Sequence, residues 1–135
     1  MSNENLLDAW NDFSRIKHIL SDINEAIVIV LGASWCHKCD PIKKKVLQLT
    51  EQDTPGVHWL WLDLEDHCEF LGDYSPETIP LVWVYQGKHL IRYGTIKDDN
   101  TTTGFSEFIQ SIPIAAMTPS ESNIRLFLLA EYRAA

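Results

Sequence analysis

This sequence lacks long apolar runs, a basic charge balance and a leader-like amino terminus. Its apolar run at residues 26–31 is far shorter than the roughly 20 residues that a membrane-spanning helix needs. The formal net charge of −8 argues against nucleic acid or an anionic membrane as the main partner. The first residues do not combine a basic segment with an apolar one, so we expect no signal peptide and a cytoplasmic location.

Cysteine is also scarce, and the spacing of the three cysteines is informative. Cys36 and Cys39 are three positions apart, Cys68 stands alone, and no second Cys-x-x-Cys pair exists. In a reducing compartment such a pair is more often catalytic or metal-binding than a structural crosslink. The sequence has neither internal repeats nor low-complexity tracts, and 135 residues with 45% apolar composition are enough for a real core.

The Cys36–Cys39 pair lies between two segments of different periodicity. Residues 26–31 are apolar throughout, which predicts a strand buried on both faces, and residues 41–50 carry apolar side chains at helical spacing. A helix begins with unpaired backbone N–H groups and the positive end of its dipole, and Cys-x-x-Cys thiols at such places often have a lowered pKa. Because the thiolate is the species that attacks disulfides, this placement predicts redox chemistry.

The sequence leaves open where the helix after the cysteines begins. Asp40 and Pro41 suit an N-cap and a first helical residue, which would start the helix after Cys39. With a start at His37, Pro41 would remove one backbone hydrogen bond and kink the helix. The three lysines at residues 43–45 are interpreted as a solvated helix face.

The remaining periodicities predict an α/β domain over residues 1–112. They place helices at residues 3–21, 41–50 and 104–112, strands at 26–31, 57–63, 81–85 and 89–93, and a short helix or turn at 65–72. Strands separated by helices are expected to be parallel, and the last two strands to form an antiparallel hairpin at one edge. The first helix is expected to bury a stripe that includes Leu6, Trp10 and Phe13. The tryptophans of the strands (Trp59, Trp61 and Trp83) are assigned to the core, and the acidic residues 63–66 to a solvated strand end.

Residues 113–135 are predicted to form a linker and an additional helix. Thr118-Pro119-Ser120-Glu121 is a capping box with proline at the first helical position. The apolar stripe that follows includes Ile124, Phe127, Leu128 and Tyr132. This helix is expected to pack either on the domain or on a partner, which includes a second copy of the chain.

In this setting the sequence resembles the thioredoxin superfamily. Its Trp-Cys-x-x-Cys site is matched by Trp35-Cys36-His37-Lys38-Cys39, and the loop that faces the thiols is matched by Tyr74, Ile79 and Pro80. Gly94, at the end of the predicted hairpin, also fits, and the resemblance covers about residues 1–112. It implies a thioredoxin fold, which is a mixed four-stranded sheet flanked by helices, here with an extra C-terminal helix.

The resemblance also implies a protein thiol–disulfide oxidoreductase that needs no cofactor. Cys36 would attack a substrate disulfide, and Cys39 would resolve the mixed disulfide. Ile79 and a cis Pro80 would hold the substrate chain, while Trp35 would shield the thiols and, with Gly94, contribute to the substrate surface. The implied partners are protein disulfide or dithiol substrates and a reductase or other electron donor.

Two departures from the family pattern bear on activity. The buried aspartate of the family, six residues before the first cysteine, is replaced by Val30, and its lysine partner falls near Trp59 or Trp61. The usual proton relay is therefore expected to be absent. His37 and Lys38, between the cysteines, bring positive charge that stabilises a thiolate and makes a disulfide more oxidising.

Three other interpretations stay open at this point. A zinc site would need two further ligands, for which His37, His67 and Cys68 are the nearby candidates. Cys68 could instead form a regulatory or intermolecular disulfide. The chain could also be a non-catalytic thioredoxin-fold module for protein binding or assembly, which the missing acid and the tail helix favour.

Overall fold

The computed structural model describes residues 6–33, 35–52, 54–65, 79–95, 105–110, 112–114, 124–125 and 128–130. The elements in chain order are β1 (Leu6–Leu7), α1 (Phe13–Ile19), β2 (Ala26–Gly32), α2 (Cys39–Thr50), β3 (Val57–Asp63), β4 (Leu81–Gln86), β5 (His89–Thr95) and α3 (Phe105–Gln110). None of the helices in these ranges is long and apolar enough to cross a bilayer. The predicted short helix or turn (apart from residue 65), Tyr74 and the capping box at 118–121 lie outside the described residues.

The centre of the fold is a mixed sheet of five strands in the order β1-β3-β2-β4-β5. Four of these strands are the predicted ones, and the fifth is the short strand β1. β2 pairs in parallel with β3 on one side and antiparallel with β4 on the other. β2 is therefore the central strand, which explains why it is apolar at every position.

The amino-terminal segment is not the single helix predicted over residues 3–21. Leu6–Leu7 pairs with β3 as a parallel strand, and α1 begins only at Phe13. Asp8 separates the two elements, because its Oδ1 accepts hydrogen bonds from the backbone N–H of Trp10 at 2.9 Å and of Asn11 at 2.8 Å. Such local bonds compete with a continuous helix. The predicted stripe is also wrong in part, since Trp10 and Phe13 are exposed.

Side chains alternate between the two faces of the sheet, so the domain has two hydrophobic cores. On one face, Ile27, Ile29 and Leu31 of β2 pack in the same core as residues of α1. On the other face, Val28 and Val30 pack in the same core as residues of α2 and α3. All five side chains are at most 1% exposed, which confirms the prediction of a strand buried on both faces.

Most large side chains lie where the pattern predicts, with one exception on α2. Trp59, Trp61 and Trp83 are core residues with exposures of 3%, 8% and 0%. Lys45, predicted to be solvated, is buried, whereas the two lysines before it are exposed. It follows Ile42 by three positions and so lies on the side of α2 that faces the domain, where a lysine can bury its aliphatic stem.

The direction of β4 differs from the prediction. β3 ends with Asp63 beside Gly32, and β4 begins with Leu81 beside Leu31. The connection from β3 to β4 therefore begins and ends at the same edge of the sheet, so β4 runs antiparallel to β2. The predicted hairpin is confirmed, since β4 and β5 pair antiparallel around Gly87, whose φ of 58° suits glycine.

The described part of the tail, residues 124–125 and 128–130, is helical and packs on the domain. Ile124 and Leu128 are fully buried in the same core as α1. The backbone N–H of Arg125 donates to the hydroxyl of Tyr85 at 3.1 Å, and its Nε donates to the carbonyl of Leu20 at 3.0 Å. For these residues, packing on the domain is the arrangement found.

Candidate functional site

The two cysteines lie where the chain passes from β2 to α2. The helix begins at Cys39 itself, so Asp40 is not its N-cap and Cys36 lies outside it. The N–H of Cys39 donates to the carbonyl of Cys36, and the N–H of Cys36 to that of Ala33, each at 3.1 Å. Pro41 occupies the third helical position, where its missing N–H removes no bond, because the first four N–H groups of a helix have no partner inside it.

Both cysteines are free thiols, and they are in contact with each other. Cys36 is 8% exposed and Cys39 only 2%. Burial raises the pKa of Cys39 to about 12, and a hydrogen bond to the side chain of Cys36 and the negative charge of Asp40 act in the same direction. Cys36 is therefore the more accessible sulfur, and Cys39 is held behind it in the thiol form.

Ile79 and Pro80 lie at the same edge of the sheet as the cysteine pair. Leu81 pairs with Leu31, so the two residues before it are level with the end of β2. Ile79 is half-buried and packs against the core that contains both cysteines. The peptide bond between Ile79 and Pro80 is cis.

The other residues of the Trp-Cys-x-x-Cys run face solvent. Trp35 is 59% exposed, although large aromatic side chains are mostly buried in folded proteins. His37 and Lys38 are exposed as well, in the turn between the cysteines. The turn between the cysteines therefore carries two exposed basic side chains, His37 and Lys38, and the exposed indole of Trp35 directly precedes Cys36.

Gly94 has a packing role in this structure. It lies on β5 opposite Val82, and its φ of 154° is one that residues with a side chain rarely adopt. A Cβ at this position would come within 2.9 Å of the Cδ of Pro113. The glycine therefore allows the segment before the tail to approach the sheet closely.

An indole fills the space behind Cys39. Val30, at the position of the family's buried acid, is fully buried and pairs with Trp61. A Cβ on Gly32 would lie 2.5 Å from Cζ2 of Trp61 and 3.1 Å from Sγ of Cys39, so only glycine allows these two groups to meet here. Lys43 places its Nζ 5.3 Å from the centroid of the Trp61 ring, within the range of a cation–π contact.

A cavity of about 180 Å³ lies beside Cys39, and sequence reasoning did not find it. Its lining is formed by Ala33, Cys39, Asp40, Lys43, Trp61 and Asp63. Lys43 and Asp63 were both interpreted as solvated surface residues, but the fold brings them to the second thiol. Two signals point to this in hindsight: Lys43 is one helical turn after Cys39, and Asp63 is two strand positions after Trp61.

The zinc alternative depends on residues beyond those described. Within the described ranges, no three His, Cys, Asp or Glu side chains are close enough to hold a metal ion. His67 and Cys68, two of the three candidate ligands, lie outside those ranges. A disulfide at Cys68 therefore stays a prediction.

Comparison with protein-family models gives no match, and comparison with curated proteins gives none either. Solved structures, in contrast, include many with the same arrangement of elements. Thioredoxin from Fasciola hepatica is 22% identical with a TM-score of 0.58, over 78% of this chain and 95% of that one. Oxidised thioredoxin O1 from Arabidopsis thaliana is 16% identical with a TM-score of 0.57, over 79% and 95%. Thioredoxin from Trypanosoma brucei brucei is 15% identical with a TM-score of 0.53, over 73% and 80%.

This chain therefore has the thioredoxin fold. Within this fold, the Cys-x-x-Cys pair lies at the junction of β2 and α2. At these identities the similarity establishes the fold, and the chemistry must be argued from the residues of this chain.

Proposed function

We propose that this protein is a thiol–disulfide oxidoreductase that exchanges disulfides with protein substrates through Cys36 and Cys39. One observation carries the proposal: two free thiols in mutual contact, Cys39 more deeply buried than Cys36, lie at the junction of β2 and α2. A pair so placed can form a disulfide by a small movement, without rearrangement of the sheet.

The chemistry needs only the two sulfurs and a substrate. In the reducing direction, the thiolate of Cys36 attacks one sulfur of a substrate disulfide, and the other substrate sulfur leaves with the electron pair and takes up a proton. Cys39 then attacks the sulfur of Cys36, which forms the Cys36–Cys39 disulfide and releases the second substrate thiol. Two electrons pass to the substrate, no cofactor takes part, and the reverse sequence oxidises a dithiol.

The substrate chain binds across the surface next to Cys36. The backbone of Ile79, before Pro80, holds an extended segment of the substrate as an added strand. The exposed indole of Trp35 covers the apolar part of that segment, and the backbone of Gly94, at the neighbouring end of β5, contributes to the same surface. These roles rest on the positions of the residues around the thiol and on the resemblance to the superfamily.

The remaining features of the proposal concern the direction of the reaction and its setting. His37 and Lys38 are basic side chains in the turn between the cysteines, and positive charge near a Cys-x-x-Cys pair favours a more oxidising disulfide. A reductase or another electron donor in the cytoplasm completes the cycle. Residues 1–112 carry the site, and residues 113–135 form the linker and helical extension; a partner or second copy would contact the side of that helix opposite Ile124 and Leu128.

Trapping the mixed disulfide tests the proposal directly. Cys39→Ser should accumulate a covalent complex with a disulfide substrate, seen as a slower band on a non-reducing gel, because the second step is blocked. Both variants carry Cys68→Ser, and the matched variant Cys36→Ser should form none, since its one remaining thiol, Cys39, is the more deeply buried of the pair. Equal trapping by both variants, or by neither, would contradict the assignment of roles.

The second candidate is a thioredoxin-fold module for protein binding or assembly without catalysis. It is favoured by Val30, which stands where the family pattern has its buried acid, and by the bulky tryptophans Trp59 and Trp61 near the position of the lysine partner. The two candidates differ in the reduction of insulin by dithiothreitol. An oxidoreductase accelerates it and loses the acceleration in Cys36→Ser, whereas equal rates for the wild type and this variant would favour the binding module.

A further inference from the structure

The proposed function requires a base for Cys39, and Val30, at the position of the family's buried acid, cannot act as one. Before it can attack the Cys36–substrate disulfide, the thiol of Cys39 must lose its proton. Burial is the largest cause of the raised pKa of Cys39, so at neutral pH its thiolate is scarce in the reduced protein. A group that accepts this proton must therefore lie within reach of the sulfur.

The cavity beside Cys39 is the route by which the proton can leave. Its volume of about 180 Å³ is enough for several water molecules, and its lining includes the charged residues Asp40, Lys43 and Asp63. Four titratable side chains face it or touch its thiol: Cys36 from the turn, Asp40 and Lys43 from α2, and Asp63 from β3.

Asp63 is directed to this cavity by the register of the sheet. It pairs with Gly32, and partners in a parallel pair project to the same face. That face is the one on which Trp61 packs with both cysteines. Asp63 is half-buried at the end of β3. Its Oδ1 accepts a hydrogen bond of 2.9 Å from the backbone N–H of Glu65, which helps to fix the position of the carboxylate.

The other two charged groups of the cavity have different roles. Asp40 is exposed and adjacent to Cys39 along the helix, so its charge mainly opposes ionisation of the thiol. Lys43, held over the indole of Trp61, brings a positive charge to the same space. A positive charge stabilises the thiolate that forms when the proton leaves.

We propose that the proton of Cys39 leaves through the cavity beside this residue, and that Asp63 accepts the proton through water in that cavity. The inference rests on the proposed oxidoreductase function and assigns the base for its second step. Asp63 acts from β3, at a different place from Val30, where the family pattern has its acid.

The S–H bond of Cys39 breaks, and its proton passes through cavity water to the carboxylate of Asp63. The resulting thiolate attacks Sγ of Cys36, the Cys36–Cys39 bond forms, and the bond from Cys36 to the substrate sulfur breaks. The substrate thiolate leaves with the electron pair, and Asp63 later returns its proton to solvent.

Single-turnover kinetics with dithiobis(nitrobenzoate) test this proposal. This aromatic disulfide releases one coloured thiolate when Cys36 attacks and a second when Cys39 resolves, so the two steps appear as separate phases. The full-length chain carries Cys68→Ser in every sample, which removes the third thiol. Asp63→Asn should slow the second phase by about 100-fold, at the low end of what a general base contributes, and leave the first phase unchanged.

The direction in which Asp63→Asn changes the rate of the second phase distinguishes a base from a neighbouring negative charge. If Asp63 acted only through its charge, Asp63→Asn would make the thiolate easier to form and would speed the second phase. Asp40→Asn is the matched control and should show that faster phase, because it removes a negative charge that opposes ionisation. In Asp63→Asn the second phase should depend on pH as the thiolate fraction does, rising about tenfold per pH unit.

A second set of measurements does not depend on the asparagine variant. In heavy water the second phase of the parent protein should slow more than the first, because only the second step includes the transfer of the Cys39 proton to Asp63. Asp63→Glu, which retains a carboxylate, should recover part of the rate. A normal first phase with an unchanged or faster second phase in Asp63→Asn would overturn the role of Asp63 alone, whereas absence of the first phase in the parent protein would overturn the proposed function itself.

Discussion

Gly32 is the residue at which the packing behind the site is tightest. Its missing side chain lets the Trp61 indole and the Cys39 sulfur share one space, and a Cβ there would overlap Cζ2 of the indole at 2.5 Å. We therefore expect Gly32→Ala to lower the free energy of unfolding by about 1–3 kcal/mol, the usual cost of overpacking a core. Urea unfolding followed by tryptophan fluorescence or circular dichroism measures this.

A second variant shows whether the clash with the indole is the cause. In a Trp61→Leu background the ring is gone, so Gly32→Ala should cost less there than in the wild type. The difference between the two costs is the coupling between the residues. An equal cost in both backgrounds would mean that the alanine strains another part of the loop.

Cys39 makes the stability of the reduced protein sensitive to alkaline pH. Its pKa rises from 9.0 to about 12 on folding, so the folded state holds the proton more tightly than the unfolded state does. This contribution to stability is complete below about pH 9 and is lost progressively as the pH rises towards 12. We expect the free energy of unfolding, measured with urea under reducing conditions, to fall across that window.

Another group titrates in part of the same window, so a control is needed. The pKa of Tyr85 is also raised by burial, from 10.0 to about 12. Cys39→Ala keeps this tyrosine and removes the thiol, so the difference between wild type and variant isolates Cys39. Parallel pH profiles for the two proteins would show that the buried thiol has no such effect.

At the scale of elements, the sequence correctly predicted those helices and strands that their own apolar spacing identifies. β2 could be predicted because it is apolar throughout, as a central strand is. Pro41 narrowed the predicted start of α2 to a few residues. The amino-terminal segment was mispredicted, because the spacing of Leu6, Trp10 and Phe13 fits a helix while the side chain of Asp8 closes a turn between β1 and α1. A pattern of apolar residues does not register such a side-chain bond.

The candidate site, too, could be predicted only where its residues are close together in the sequence. The Cys36–Cys39 pair could be found because both residues lie in one short stretch between a strand and a helix. The neighbourhood of Cys39 could not, because it combines Lys43 of α2 with Asp63 of β3 through the register of β3 on β2. Single-sequence patterns indicate which face a residue occupies on its own element, and they do not give the residue opposite.

At the scale of the molecule, the described tail residues 124–125 and 128–130 pack on the domain. The core on the α1 face is made of α1, the sheet and the buried tail residues Ile124 and Leu128. Arg125 ties this segment to two separate elements, through the hydroxyl of Tyr85 on β4 and the carbonyl of Leu20 after α1. Residues distant in sequence therefore close one face of the sheet, so the two predicted segments, 1–112 and 113–135, should unfold together.

Leu128 tests this cooperation, because it is fully buried although it lies near the end of the chain. Leu128→Ala should lower the free energy of unfolding of the whole protein by about 2–5 kcal/mol, the usual cost of such a cavity. Unfolding should remain one transition whether it is followed by the fluorescence of the domain tryptophans or by circular dichroism. The neighbouring Leu129→Ala is the control and should cost less, because Leu129 is only partly buried. If Leu128→Ala left the transition of the domain unmoved, the tail would have to be an independent segment that contributes nothing to the core.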